Sequence, residues 1–363
     1  MLNTLVGVFC GVLTGLVPGL HINTFLPFLP LGVSGFVVGV VVAHSFFDFL
    51  PSIFLGVPDE SNALSVLPAH RMVLEGHALR AFQLSVFGGL FSSLIAFLLL
   101  FLLFSLGAFN LRLVVLFFLV LTVFFMFFSA RSKVLTFSLF LLAGFLGLGS
   151  LGKPHALFAL LSGFFGSSTI LYSLFSPPFV KEQKFVVARL PGFRAMFFGG
   201  LAGIFSGLMP GLGSSISALG AKKLGCLGDE DFLVLLGGVN TVYAFTAVFA
   251  IFLIGKPRSG AALFIRSEAN FLYLAGSVLL ALGVSALLAF CFSGFFVRFF
   301  NRIPLRLLNV FSLFLLVFLA LFFDVFFLFI VSTCLGLACV SSGVRRSTCM
   351  GSLLLPAILY YLP

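Results

Sequence analysis

Long apolar runs, separated by short polar segments, make up almost the whole chain. An apolar run of about 18 or more residues is long enough to cross the hydrocarbon core of a bilayer as a helix. Because backbone groups in hydrocarbon must pair within the protein, the pattern predicts an all-α polytopic membrane protein. The apolar blocks cover residues 3–29, 31–56, 80–106, 111–129, 133–150, 155–175, 193–220, 231–254, 267–297, 305–323, 325–342 and 347–362.

The longest polar connector lies in the middle of the chain. It is SPPFVKEQKFVVARLPGFR, residues 176–194, and contains three prolines and four basic residues. Such a composition favours a linker over a helix. We therefore predict a first membrane repeat over residues 1–175, a cytoplasmic linker over 176–194 and a second membrane repeat over 195–363.

The two predicted repeats share two motifs in the same order. GVFCGVLTGLVPGL, residues 7–20, is identical at seven of 14 positions to GGLAGIFSGLMPGL, residues 199–212. LGVPDESNAL, residues 55–64, shares a Gly, a Pro, an Ala and a Leu with IGKPRSGAAL, residues 254–263. Two matches in one order predict an internal duplication.

Each copy of the first motif places a Pro-Gly pair inside an apolar block. Pro removes a backbone N–H and Gly permits a sharp turn, so together they break a helix. Broken helices persist at membrane depth only when they are buried in protein or line a wet cavity, and secondary transporters build substrate sites from them. We therefore predict a re-entrant helical hairpin at the start of each repeat. The alternative is a kinked helix whose Gly-x-x-x-Gly spacing serves helix packing.

The distribution of charge favours the hairpins. If residues 3–29 and 193–220 enter the membrane and return, the first half crosses five times and the second half is inverted. The basic residues then divide 15 to five in favour of the cytoplasmic side, as the positive-inside bias requires. The cytoplasmic set is Arg71, Arg80, Arg131, Lys133, Lys181, Lys184, Arg189, Arg194, Lys222, Lys223, Arg298, Arg302, Arg306, Arg345 and Arg346, and the outer set is Arg112, Lys153, Lys256, Arg258 and Arg266.

Composition excludes several classes of function. The net charge is +10, but cytoplasmic loops account for it, so we expect a lipid bilayer and no nucleic acid as a partner. The six cysteines are scattered, and the chain has no nucleotide-binding loop, His-Glu-x-x-His motif or nucleophile elbow. We therefore expect no enzymatic activity, no catalytic residue, no metal site and no cofactor. The first residues lack a basic region and a small-residue cleavage site, so we expect no removable signal.

The motifs resemble those of the TctA family, the large membrane subunit of tripartite tricarboxylate transporters. The resemblance rests on GVLTGLVPGL, LGVPDESNALSV and AHRMVLEGHA in the first half, and on GIFSGLMPGLGSS and IGKPRSGAAL in the second. The C-terminal GVRRSTCMGSLLLPAILYYL resembles the end of shorter, archaeal-type members. Asp48 and the pair Asp59 and Glu60 depart from the family pattern, so citrate specificity is not carried over.

The resemblance implies a secondary transporter of the cytoplasmic membrane that moves a small organic anion, a carboxylate, by alternating access. It also implies Na⁺ or H⁺ as a coupling ion, and two partners: a small membrane subunit and an extracytoplasmic binding protein. The alternative is a polyprenyl-phosphate translocase, a lipid-carrier flippase with a related hairpin plan. A non-transporting scaffold is a third interpretation, which leaves the broken helices without a purpose.

Polar residues and free backbone groups near the breaks are the candidates for substrate binding, because they can orient an anion without a fixed charge. A structural role for His21 and a plain loop charge for Arg258 are the open alternatives. The candidates are Pro18, Gly19, His21, Asn23, Thr24, Pro58, Pro210, Gly211, Gly213, Ser214, Ser215, Asn240, Pro257 and Arg258.

Asp48, in the apolar stretch HSFFDFLPS, is the candidate for ion coupling. An ionisable group inside hydrocarbon is costly, so it predicts a function. His44 lies one helical turn earlier, close enough to influence its protonation. The alternative is that the two side chains pair only to satisfy each other.

We expect Pro18→Ala and Pro210→Ala each to reduce transport while leaving membrane insertion intact. Alanine restores the missing N–H, so a helix can close across the break, whereas the apolar blocks that direct insertion are unchanged. Uptake would be measured at matched amounts of membrane protein. Full uptake by the double variant would mean that both motifs only kink a helix for packing and have no role in transport.

Overall fold

The structure is a computed structural model that describes residues 1–17, 34–55, 66–105, 112–128, 130, 132–175, 182–209, 214–255, 258–265 and 270–362. Within these ranges the regular structure is helical, without a strand, which confirms the all-α class. Six helical segments are long and apolar enough to cross a membrane, and two of them, Ser34–Phe54 and Ala156–Leu174, contain more than one of the helices given below. A bent pair over Ser293–Arg302 and Arg306–Phe322 makes a seventh if it counts as one span.

Seventeen α-helices are described. They are α1 (Leu2–Gly15), α2 (Ser34–Phe47), α3 (Phe49–Leu55), α4 (Val66–Leu74), α5 (Ala78–Ser105), α6 (Arg112–Phe128), α7 (Lys133–Ser150), α8 (Ala156–Leu161), α9 (Ser168–Phe175), α10 (Phe193–Leu208), α11 (Ser214–Gly225), α12 (Asp229–Ile254), α13 (Phe271–Cys291), α14 (Ser293–Arg302), α15 (Leu305–Phe322), α16 (Phe326–Ser341) and α17 (Gly351–Tyr361). A π-helical turn over Ser162–Ser167 joins α8 to α9, and 3₁₀ turns cover Ala261–Phe264 and Arg346–Met350.

α1 packs along α2 through its glycine face. A Cβ atom at Gly11 would lie 2.6 Å from the Val40 carbonyl oxygen, so only a residue without a side chain permits this approach. The contacts advance in the same direction along both helices, and α1 and α2 are therefore parallel. The carbonyl contacts are Gly7 with Phe36, Gly11 with Val40, and Gly15 with His44.

α10 packs along α12 in the same way, and these two helices are also parallel. Each glycine follows its counterpart in α1 by 192 positions, and each carbonyl follows its counterpart in α2 by 199 positions. The second offset is the one that relates LGVPDESNAL to IGKPRSGAAL. These are the contacts that a duplication would produce, although the duplication itself stays a prediction. The contacts are Gly199 with Leu235, Gly203 with Val239, and Gly207 with Tyr243.

The linker marks one end of the molecule. Gln183 accepts a hydrogen bond of 2.9 Å from the N–H of Ala78, the first residue of α5, and donates one of 3.0 Å to the Val73 carbonyl. The guanidinium of Arg298, in α14, lies 4.5 Å from the centre of the Phe185 ring. Residues 182–192 of the predicted linker, which precede α10, are therefore fixed against the start of α5 and against α14.

The two glycine-packed helix pairs run in opposite directions. α12 begins at the linker end, because Arg80 of α5 donates a 2.8 Å hydrogen bond to Glu230. α2 and α3 run toward that end, where Phe54 stacks on Phe300 of α14 with ring centres 5.7 Å apart. α1 and α2 therefore point toward the linker, whereas α10 and α12 point away from it. An inverted second half requires this arrangement.

The two halves are interleaved. α5 of the first half packs along α12 of the second, where a Cβ atom on Gly88 would meet the Val234 carbonyl. α13 of the second half packs along α2 and α1, and Thr4 donates a 3.3 Å hydrogen bond to Ser277. These helices form a central hydrophobic cluster, so the linker does not divide the molecule into separate cores.

Two smaller hydrophobic clusters lie beside the central one. They are formed mainly by α6 to α9 and α15 to α17. Met209, which follows α10, belongs to one of them, and Val17, which follows α1, packs against the other. Both helices that lead into a predicted break therefore end where the central cluster meets a smaller one.

We expect Lys184→Cys and Arg302→Cys, in a cysteine-free background, to resist an impermeant maleimide applied to intact cells. Both positions are exposed and belong to segments at the same end, which the positive-inside bias assigns to the cytoplasm. Leu263→Cys, at an exposed position in the predicted outer segment, should react. Labelling of position 184 from outside would contradict the predicted topology.

Candidate functional site

Most of the predicted site residues lie outside the described residues. The structure describes Ser214, Asn240, Arg258, His44 and Asp48, and it describes Ser215 only as part of α11. The residues outside it are Pro18, Gly19, His21, Asn23, Thr24, Pro58, Pro210, Gly211, Gly213 and Pro257.

Two predicted site residues meet in the protein interior. The Asn240 side-chain amide donates to both carboxylate oxygens of Asp48, at 3.1 and 3.3 Å, and lies 3.2 Å from the Ser45 carbonyl oxygen. Asp48 is 8% exposed and Asn240 4%. Asp48 was predicted for ion coupling and Asn240 for substrate binding, but the geometry places them in one group. Since they come from different halves, their contact joins the halves.

Asp48 occupies a break between two helices. α2 ends at Phe47 and α3 begins at Phe49. Pro51 explains the break, because proline has no N–H to donate to the carbonyl four residues earlier, which is that of Phe47. The Asp48 N–H still donates to the His44 carbonyl at 3.0 Å, and the Ser52 hydroxyl donates to the Asp48 carbonyl at 2.8 Å. The backbone around Asp48 is thus held by hydrogen bonds on both sides.

His44 connects this group to α1. Its Nδ1 lies 3.0 Å from the Thr14 hydroxyl oxygen. The same hydroxyl donates to the Gly11 carbonyl at 3.1 Å, so Thr14 bridges the imidazole and the backbone of α1. The imidazole is therefore anchored to the last turn of α1.

Sequence reasoning missed Thr14, although the motif contained a signal. Thr14 precedes the third glycine of the first motif, and Ser206 precedes the third glycine of the second. Ser206 donates to the Gly203 carbonyl at 3.1 Å, just as Thr14 donates to Gly11. A hydroxyl at the same place in both motifs indicates a shared role in closing the helix before its break.

Two further threonines on α12 present buried hydroxyls. Within the described part of the chain, the hydroxyls of Thr241 and Thr246 have no hydrogen-bond partner. Thr241 follows Asn240, and Thr246 packs against Gly207, in the last turn of α10. Buried polar atoms are normally paired, so these two hydroxyls stand out as unsatisfied groups in the protein interior. Sequence reasoning missed Thr246, because a lone threonine in an apolar helix carries no signal.

Ser214 and Arg258 lie apart from the carboxylate. Ser214 is buried at the first residue of α11. Arg258 follows the far end of α12, where it donates a 2.8 Å hydrogen bond to the Tyr361 hydroxyl and lies 5.7 Å from that ring's centre. The guanidinium thus ties α17 to the end of the molecule opposite the linker.

The described residues contain no group of three or more His, Cys, Asp or Glu side chains that could hold a metal ion. The groups around Asp48 are its own carboxylate, the Asn240 amide nitrogen that donates to it, the Ser52 hydroxyl and backbone carbonyls. Such a set can bind a proton or a weakly held monovalent cation, but it lacks the several charged ligands typical of a structural divalent site.

Comparisons with known proteins give one family. A family model described as the tripartite tricarboxylate transporter TctA family matches residues 1–351. The chain is 32% identical over 284 residues to the uncharacterized protein MJ1079 of Methanocaldococcus jannaschii, a match that covers 72% of this chain and 71% of that protein. No solved structure gives a significant match.

We expect Asn240→Leu to lower the melting temperature of the detergent-solubilised protein more than Asn309→Leu does. Asn240 donates to a carboxylate, and removing a donor from a buried charge costs about 1.5–3 kcal/mol, whereas Asn309 donates to the neutral Ser173 hydroxyl, a bond of about 1 kcal/mol. Asp48→Leu combined with Asn240→Leu should recover much of the loss, because neither polar group then remains. Additive effects of the two changes would mean that the pair is not coupled.

Proposed function

Because the chain belongs to the TctA family of tripartite tricarboxylate transporters, we propose that it carries a small organic carboxylate across the cytoplasmic membrane by alternating access, coupled to Na⁺ or H⁺. The family is one of transporters, and the apolar helices make the chain a multi-pass membrane protein. The observation that carries the finer proposal is the buried contact between Asp48 and Asn240, which joins the two halves.

The Asp48 group suits a coupling cation. A Cβ atom on Gly15 would lie 3.1 Å from the Asp48 backbone nitrogen, so the last turn of α1 abuts the Asp48 backbone. The C-terminal end of a helix carries partial negative charge, which adds to that of the carboxylate. A charged side chain at the bilayer centre costs about 3 kcal/mol on insertion scales, and a bound Na⁺ or proton offsets that cost. We propose that Asp48 binds the coupling ion and that His44 helps to position Asp48.

The second break suits the anionic substrate. Ser214 begins α11, and the N-terminal end of a helix combines partial positive charge with free N–H groups. We assign the substrate carboxylate to Ser214, Ser215 and the neighbouring Gly211 and Gly213. His21, Asn23 and Thr24 of the first motif complete the proposed site.

The packing of the helix ends supports alternating access. Val17 and Met209, at the ends of the described segments before each break, contact the smaller clusters, whereas α1 and α10 themselves belong to the central one. Movement of the smaller clusters against the central one would change access to both breaks together. A small membrane subunit and an extracytoplasmic binding protein are the partners that we propose from the family.

We expect Asp48→Asn to abolish gradient-driven accumulation in liposomes while preserving substrate exchange. The asparagine keeps the size and hydrogen bonding of the side chain but removes the titratable charge, and exchange does not require the coupling ion to unload. Labelled carboxylates would be tested under an imposed Na⁺ or H⁺ gradient.

The matched control is Asp324→Asn, since Asp324 lies at an exposed turn between α15 and α16. Undiminished accumulation by Asp48→Asn would remove Asp48 from the mechanism. Failure of the parent protein to move any carboxylate, combined with transfer of a polyprenyl phosphate between leaflets, would favour the flippase.

A further inference from the structure

A pocket of about 440 Å³ lies between the end of α6, the start of α7 and the segment that follows α16. This volume falls within the range of small-molecule sites, roughly 300–1,000 Å³. The pocket is at the linker end, because α17 runs from its wall to Tyr361, which contacts Arg258 at the opposite end. Its lining residues are Met126, Ala130, Ser132, Thr136, Ser342, Gly343, Val344, Arg345 and Thr348.

The wall that carries Arg345 is preformed. Gly343 has a φ of 69°, the left-handed conformation that favours glycine at a helix end. The Val344 N–H then donates to the Cys339 carbonyl at 2.9 Å, which closes α16. The Arg345 carbonyl accepts from the Thr348 N–H at 3.0 Å, which begins the 3₁₀ turn. Arg345 is thus held between two hydrogen-bonded turns.

The pocket offers donors without matching acceptors. Within the described chain, the side chains of Ser132, Arg345 and Thr348 make no hydrogen bond or ion pair with another residue, and Thr348 is only 1% exposed. The hydroxyl of Thr136, by contrast, donates to the Ser132 carbonyl at 2.8 Å. The sequence contains no Asp or Glu over residues 76–181 or 325–363, the two stretches that build the pocket. Its positive charge is therefore uncompensated locally.

We propose that this pocket binds a phosphate group, supplied by an anionic phospholipid headgroup or by free inorganic phosphate. A guanidinium and two hydroxyls match the several oxygen acceptors of a phosphate. The neighbouring side chains of Phe128, Val134 and Phe137 are 71%, 79% and 52% exposed, so an apolar, lipid-facing surface adjoins the pocket. That position puts the donors within reach of headgroups at the membrane surface.

The test compares Arg345→Gln with Arg302→Gln, an exposed arginine at the same end outside the pocket. Purified protein in detergent would be titrated with inorganic phosphate and followed by its melting temperature. In parallel, native mass spectrometry would count retained phosphatidylglycerol against phosphatidylcholine. We expect Arg345→Gln, and not Arg302→Gln, to weaken binding about tenfold, the loss typical of one charge-assisted hydrogen bond.

The phosphate titration and the lipid measurement distinguish the two sources of the phosphate group. Stabilisation by phosphate that depends on Arg345 identifies a free anion, and phosphatidylglycerol retention that depends on Arg345 identifies a headgroup. If neither phosphate nor phosphatidylglycerol binding depends on Arg345, the proposal is wrong. Should Arg345→Gln fail to fold, Thr348→Val removes a donor at nearly constant volume and provides the same comparison.

Discussion

Contact of backbone with backbone across glycine faces is the interaction on which this structure depends. Inside a bilayer, helices gain little from the hydrophobic effect when they associate, so close packing must hold them together. Gly11 and Gly203 bring α1 against α2 and α10 against α12, and Gly88 does the same between α5 and α12. A Cβ atom at these places would collide with a carbonyl or with a neighbouring side chain. The glycines therefore determine which helices can be neighbours, both within each half and between them.

The position of the buried carboxylate follows from this packing. The glycine face of α1 places the last turn of that helix beside His44 and Asp48. The packing of α5 and α2 against α12 places Asn240 opposite the Asp48 carboxylate. Pro51 removes the hydrogen bond to the Phe47 carbonyl at that place, whereas the Asp48 backbone keeps its bonds to His44 and Ser52. A charge that would be expensive in hydrocarbon thus receives its hydrogen bonds from the other half of the chain. This contact is the basis on which we propose that a coupling ion is linked to movement between the halves.

The linker end of the molecule divides electrostatically into two parts. At the central cluster, Asp229 lies 3.1 Å from Lys222 and Glu230 lies 2.8 Å from Arg80, so these two basic residues have acidic partners. The stretches that form α6, α7, α16 and α17 contain no acidic residue, and Arg345 faces a pocket without a counter-charge. The ion pairs of Asp229 with Lys222 and of Glu230 with Arg80 are exposed and contribute little to stability, but their opposite charges cancel the local potential. The pocket around Arg345 therefore keeps a positive potential that attracts a phosphate.

The sequence by itself determined the membrane class and the apolar helices, and it singled out Asp48 as an ionisable residue within an apolar block. Each depends on local composition, which the bilayer makes decisive because it leaves few alternatives for a backbone that must pair its own polar groups. Only the tertiary structure decided that Asp48 meets Asn240, 192 positions away, that Thr14 anchors His44, and that three segments enclose a pocket around Arg345. These contacts depend on the direction and register of packed helices. Several helix faces carry small residues, so the sequence permits more than one pairing, and only the simultaneous fit of all the helices selects one.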